Sequence, residues 1–138
     1  MRRSPSLAVD TIILLDNKLA LIKRGREPFK DCFALPGGFV EYGETVENAA
    51  IREAKEETGL DITNLSLLGI YSKPDRDPRG HTVSIVFLGK GNGTPKAGDD
   101  AKEIFLFDID QIPTDLAFDH NKIIQDFLKD SRGSKYYR

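Results

Sequence analysis

The stretch Arg52–Gly59 reads REAKEETG and sets three glutamates, Glu53, Glu56 and Glu57, close together in the chain. The residues around it have the limits of a helix. Thr45 offers an N-cap hydroxyl, Glu47 puts an acid in the first turn and Gly59 offers a stop, so the pattern predicts a helix over Val46–Thr58. At helical spacing the glutamates stand at i, i+3 and i+4, within an arc of about 100°. Val46, Ala49, Ala50 and Leu60 fall on the same stripe, so the acidic cluster sits on a face that begins and ends apolar. The ordinary explanation is a solvated glutamate-rich face. Against it, Glu53–Glu57 is a like-charge i,i+4 pair, unfavourable by about 0.2–0.5 kcal/mol. Carboxylates crowded on a partly buried face also need a cation. Arg52 pairs with only some of them, and Lys55 points to the other side. A hard divalent cation, Mg²⁺ or Mn²⁺, suits the oxygen donors, and no histidine or cysteine is near in sequence. Mg²⁺ commonly shares its shell with phosphate oxygens, which directs the reading to phosphate chemistry.

Working outward, Pro36-Gly37-Gly38 is expected to break the chain sharply, and the glycines let backbone approach a ligand. Glu44 stands before the helix, where it could hold Arg52. Upstream, Leu7–Leu15 and Leu19–Arg24 are apolar and β-branched around an Asp16-Asn17 turn signal, which predicts a hairpin or two neighbouring strands. Downstream, Leu65–Tyr71, Thr82–Leu88 and Ile104–Phe107 read as strands. HNKIIQDFLK reads as a last helix capped by Asp119, and the tail RGSKYYR as frayed. Strands mixed with two helices predict an α/β sandwich. The 138 residues fit one domain, 1–138, with a sizeable core. A net charge of −2 gives no pull toward nucleic acid or an anionic membrane, and no apolar run approaches a membrane span. Cys32 is the single cysteine, so no intrachain disulfide forms, and a reducing cytoplasm is expected.

Gly38, then five residues, Glu44, then seven residues and the run Arg52-Glu53-Ala54-Lys55-Glu56-Glu57-Thr58-Gly59-Leu60 together resemble the Nudix box, GX5EX7REUXEEXGU, with every fixed position filled over residues 38–60. The flanking LIKRGREPF and the later strand order resemble the same family. The resemblance implies a Nudix-type α/β/α sandwich with a mixed β-sheet. It implies Mg²⁺-dependent hydrolysis of a diphosphate in a nucleoside diphosphate linked to a further group. By it, Glu53, Glu56 and Glu57 are metal ligands, helped by the Gly38 or Gly37 carbonyl. Arg52 and Glu44 hold loop and helix together, and the base is either one box glutamate, Glu53 or Glu56, acting so instead of as a ligand, or a residue of a later loop, since family members differ. Glu103 stands where the family commonly has a further acid, although a surface residue beside Lys102 reads equally well.

The box encodes chemistry, not specificity. The segment YSKPDRDPRGH, Tyr71–His81, resembles the loop after the box in the ADP-ribose pyrophosphatase branch, whose marker proline Pro74 and Pro78 straddle. Arg76 and Arg79 are expected to grip a second phosphate or the terminal ribose through forked hydrogen bonds, and Arg24 and Arg26 are weaker phosphate candidates. His81 reads as a strand-edge residue. Phe29, Phe33 or Tyr42 could stack on a base, although aromatics are more often core. The branch resemblance implies ADP-ribose as substrate and a homodimer. A MutT-type (d)NTP pyrophosphatase shares the box and is the alternative. A non-catalytic ADP-ribose sensor is the second.

Overall fold

The computed structural model describes residues 3–96 and 101–129. In chain order its elements are β1 (Ser6–Leu15), β2 (Lys18–Arg24), β3 (Phe33–Ala34), β4 (Gly37–Phe39), α1 (Val46–Thr58), β5 (Asp61–Tyr71), β6 (Thr82–Asn92), β7 (Ala101–Asp108), a 3₁₀ turn (Ile109–Gln111) and α2 (His120–Lys129). Among the described residues seven strands form one sheet with the path β3-β2-β1-β6-β5, while β4 pairs with β1 and β7 with β2. The β1–β6 pairing is parallel and the others are antiparallel, so the sheet is mixed.

Local chemistry explains the joints. Asp16 and Asn17 both take positive φ, 51° and 64°, the two-residue turn whose twist matches a hairpin, and Leu15 pairs with Lys18 across it. The Thr45 hydroxyl accepts the Asn48 N–H at 3.1 Å, and Gly59 closes α1 in the left-handed region at φ 74°. Pro36-Gly37-Gly38 does more than break the chain. Gly37, Gly38 and Phe39 pair with Asp10, Val9 and Ala8 of β1.

The alternation of β1 divides its side chains between two cores. Val9 packs with Ala49 and Ala50 of α1, and Ile13 with Ala54. Ile12 packs with Ile123 and Ile124 of α2. Each helix therefore covers one face of the sheet, giving an α/β/α sandwich. β1 and β6 run buried through its centre, as the apolar β1 sequence requires. No helix among the described residues is long and apolar enough to cross a membrane. The tail RGSKYYR lies outside the described residues.

Candidate active site

A cleft opens where β4, the side of α1 and the first residue of α2 meet. Glu53 and Glu57 line it from α1, Arg24 from the end of β2, Arg26 just beyond, and Arg79 from the loop between β5 and β6. Gly37, Gly38, Asp10 and His120 line it as well.

The three glutamates differ in setting. Ala49, Ala50, Ala54 and Thr58 are the buried residues of α1. Glu53 and Glu57 flank that face half-buried, and Glu56 lies one step further round and is exposed. The face is thus inward-looking at its centre and acidic along its margin. Gly37 N–H donates to Glu57 Oε1 at 2.7 Å. The Glu53 carboxylate rests on Gly38 so closely that a Cβ there would overlap it. Arg52 ties the segment together. Its Nε and Nη2 donate to Glu44 Oε2 and Oε1 at 2.7 and 2.9 Å, Nη2 reaches the Phe39 carbonyl at 3.2 Å, and Nη1 reaches Glu53 and Glu56 at 3.1 and 3.3 Å. These charged hydrogen bonds push the Glu44 carboxyl down to about 2. They raise the Arg52 guanidinium above its ordinary value. One guanidinium thereby joins β4, the loop before α1 and two of the box carboxylates.

The donor set suits a hard cation. It is made of carboxylate oxygens with backbone at a glycine, and the absence of a side chain at Gly38 lets the Glu53 carboxylate lie against that backbone. Among the described residues no three His, Cys, Asp or Glu side chains already converge into a cage. An ion that keeps waters and shares substrate oxygens does not need one.

Glu103 lies elsewhere. It is exposed on β7 opposite Lys23 and is not among the residues that line the cleft. Both arginines of the 72–81 loop, Arg76 and Arg79, line the cleft, and each also holds an aspartate. The fork of Arg76 goes to Asp119, with Nε and Nη2 donating at 2.9 and 2.6 Å, and its side chain is only 4% exposed. It faces inward as a pin between the loop and the start of α2. Arg79 donates from Nε and Nη2 to Asp77 at 3.1 and 2.8 Å yet stays half-exposed, stacked over the Phe39 and Phe118 rings at 5.4 and 5.5 Å. Burial would raise the Asp77 carboxyl, but the Arg79 bonds and charge outweigh it and hold it low. Arg24 also lies over the Phe118 ring, at 5.0 Å. Burial and then the Arg79 charge pull its guanidinium below its ordinary value. An anion placed beside Arg24 and Arg79 would relieve that repulsion.

His81 caps its loop, with Nε2 3.0 Å from the Ser72 carbonyl. Phe33 stacks edge-on with Phe105 and Phe107, Phe29 stacks on Phe118, and Tyr42 is fully exposed. Sequence reasoning missed Asp10, Asp77, Phe118 and His120. Asp10 had left a signal: a lone acid inside the apolar run of β1 must find a buried partner.

A family model described as the NUDIX domain matches residues 5–127. An ADP-ribose pyrophosphatase of Methanocaldococcus jannaschii is 62% identical over 130 residues, which are 94% of this chain and 76% of that protein. Among solved structures, a MutT/nudix family protein from Enterococcus faecalis superposes with a TM-score of 0.81 at 37% identity, over 94% of this chain and 63% of its own. A bifunctional NMN adenylyltransferase/ADP ribose pyrophosphatase from Francisella tularensis, complexed with AMP and a Mn ion, superposes with a TM-score of 0.79 at 31% identity, over 93% of this chain and 42% of its own. The chain thus spans less than two thirds of either solved protein.

Proposed function

The chain belongs to the Nudix hydrolase family, and on that premise we propose that it cleaves ADP-ribose to AMP and ribose 5-phosphate in the cleft beside α1. The observation that supports this substrate is the charge pattern of one cleft. Carboxylates Glu53 and Glu57 come from α1, and guanidiniums come from Arg24, Arg26 and Arg79. A diphosphate flanked by two sugars needs both kinds of wall: one to carry cations to the scissile bond, the other to hold the remaining anionic and hydroxyl oxygens. The 62% identity to an ADP-ribose pyrophosphatase supports the same reading.

Nudix hydrolases work with divalent metals. In this reading the metal is Mg²⁺, with Mn²⁺ able to replace it, and Glu53, Glu56, Glu57 and the Gly38 carbonyl hold it. When bound, it would neutralise the diphosphate and lower the pKa of a nearby water. One of Glu53 and Glu56 would serve instead as the base that takes the proton of the attacking water. The water oxygen bonds to phosphorus, and the bridging P–O bond breaks with its electron pair leaving on the departing phosphate. Arg52 and Glu44 keep the glycine strand and α1 in register during this exchange. Arg24, Arg26, Arg76 and Arg79 hold the substrate, with Arg76 also bonded to Asp119. A homodimer in the cytoplasm without a nucleic-acid partner completes the proposal, and size-exclusion chromatography with light scattering tests the dimer.

The test of the substrate is product analysis with Mg²⁺ on a panel of ADP-ribose, other nucleotide sugars and dinucleotides, and ordinary and oxidised (d)NTPs. AMP from ADP-ribose at far higher kcat/KM than from any triphosphate, lost in Glu56→Gln and Glu57→Gln, is expected. Preference for a triphosphate would keep the metal site and overturn the substrate. Tight ADP-ribose binding without turnover of anything would indicate a sensor.

A further inference from the structure

His120, the first residue of α2, is buried and lies outside the chemistry described above. Its Nδ1 accepts the N–H of Leu35 at 3.0 Å, which fixes the neutral tautomer with the proton on Nε2. Nε2 faces Asp10 Oδ1 at 3.6 Å, and the other Asp10 oxygen accepts from the Ser84 hydroxyl. Leu35 opens the segment that ends at Gly38, and each step along it is tied to a different element. Leu35 N–H goes to α2, the Pro36 carbonyl accepts the Thr11 N–H of β1 at 3.0 Å, and Gly37 N–H goes to Glu57 of α1 at 2.7 Å. Next to His120, Asp119 holds Arg76 of the 72–81 loop. Two adjacent residues at the start of α2 therefore grip the two backbone segments that frame the cleft.

We propose that His120 is a positioning residue whose Nδ1 sets the height of the Leu35–Gly38 backbone against Glu53 and Glu57, and so sets the metal-binding geometry from the opposite face of the sheet. The proposal rests on the reading of these glutamates as metal ligands. Leu35 is buried, so its N–H has no water to turn to if the acceptor is removed. Gly37 is two residues away and bonded to Glu57, so a shift at Leu35 is passed directly to a carboxylate.

Two substitutions separate this from a merely satisfied core histidine. Asparagine carries an acceptor where His120 has Nδ1. Glutamine carries its polar atoms where His120 has Nε2, toward Asp10. His120→Asn is expected to keep kcat for ADP-ribose and Mn²⁺ affinity, read by the EPR signal of free Mn²⁺ without substrate, within about threefold of the unmodified chain. His120→Gln is expected to lose about tenfold or more in kcat with little change in KM, and to bind Mn²⁺ more weakly, at temperatures where it is still folded. Equal behaviour of the two variants, or a glutamine variant that only melts earlier, would overturn the proposal. Should the glutamine variant not fold, the asparagine variant decides alone. Values within threefold support the proposal, and a larger loss in folded protein overturns it. An unmodified chain that binds no Mn²⁺ would instead refute the underlying metal-site reading.

Discussion

Adding one methyl group at Gly37 and at Gly38 would have different consequences. At Gly37 the new Cβ would run into the Val9 carbonyl and the Asp10 backbone, which cannot step aside without opening the β1–β4 pairing. Gly37→Ala should lower stability by about 1–3 kcal/mol, as overpacking does. At Gly38 the atoms nearest the same Cβ all belong to the end of the Glu53 side chain, which can swing away. Gly38→Ala should melt close to the unmodified chain and lose activity, because the displaced group is a proposed metal ligand. Urea denaturation and kcat on the two variants check this, and a reversed pattern would remove Glu53 from the metal site. The buried imidazole gives a second prediction. Burial holds His120 below its ordinary value; Asp10 and Asp119 pull it back up, and Arg76 and Arg24 push it down again. The unfolded chain takes up that proton near about pH 6.5, before the folded chain does. Stability from His120 is therefore complete above that pH and is lost as pH falls toward the folded value. Asp10 works the other way. Burial raises its carboxyl, so its contribution is present in acid and is lost as pH rises through its folded value. Denaturation from about pH 8 to about pH 5 should show stability falling below about 6.5, and His120→Asn should flatten that fall. An unchanged slope in the variant would show that other groups cause it.

At the scale of elements, α1 was the most legible part of the chain because its limits are written locally. Thr45 and Gly59 each act on their own neighbours, and the helix runs over the residues they bracket. Each cap should be separable from the chemistry. Thr45→Ala should cost about 1 kcal/mol, and Gly59→Ala about 1–2 kcal/mol because an L-residue is strained in the left-handed region. The ends are far apart, so the costs should add. Calorimetry of both variants, with kcat measured per folded molecule and unchanged, tests whether α1 acts as a rigid carrier of its glutamates. The hairpin turn at Asp16-Asn17 was legible for the same local reason. Strands β3 and β4 were not, since two or three residues carry no period of their own and exist only through β1 and β2. β5 and β6 extend past their apolar cores because each supplies the other's ladder as far as Asp61 and Asn92. Arg76 was legible as a charged loop residue but not as a pin, because Asp119 is distant in sequence and nothing local marks the pair. Glu103 is absent from the cleft lining, and its place follows from a pairing that no local signal marks: the strand that carries it pairs with β2.

At the scale of the whole molecule, the cleft joins parts that belong to different layers. The glutamates ride on α1, which packs on one face of the sheet. The arginines come from the end of β2 and from a loop pinned to α2 on the other face. On the proposed reading a nucleotide alone would engage the arginines and a metal alone the glutamates, but a metal–diphosphate pair would engage both. The two ligands should therefore stabilise the fold together by more than the sum of their separate effects, as any pair that binds the same native geometry must. The measurement is thermal melting with an ADP-ribose analogue whose bridging oxygen is methylene, with Mg²⁺, and with both. At about 100-fold its dissociation constant a single ligand contributes about 2.7 kcal/mol. Both together should exceed twice the mean single effect in the unmodified chain. In Glu57→Gln the metal-dependent excess should vanish while the shift from the analogue alone remains. Arg79→Ala should remove the analogue's own shift and leave the metal's. Strict additivity in the unmodified chain would mean that the two walls bind independently, and the diphosphate would then have to lie somewhere other than across them.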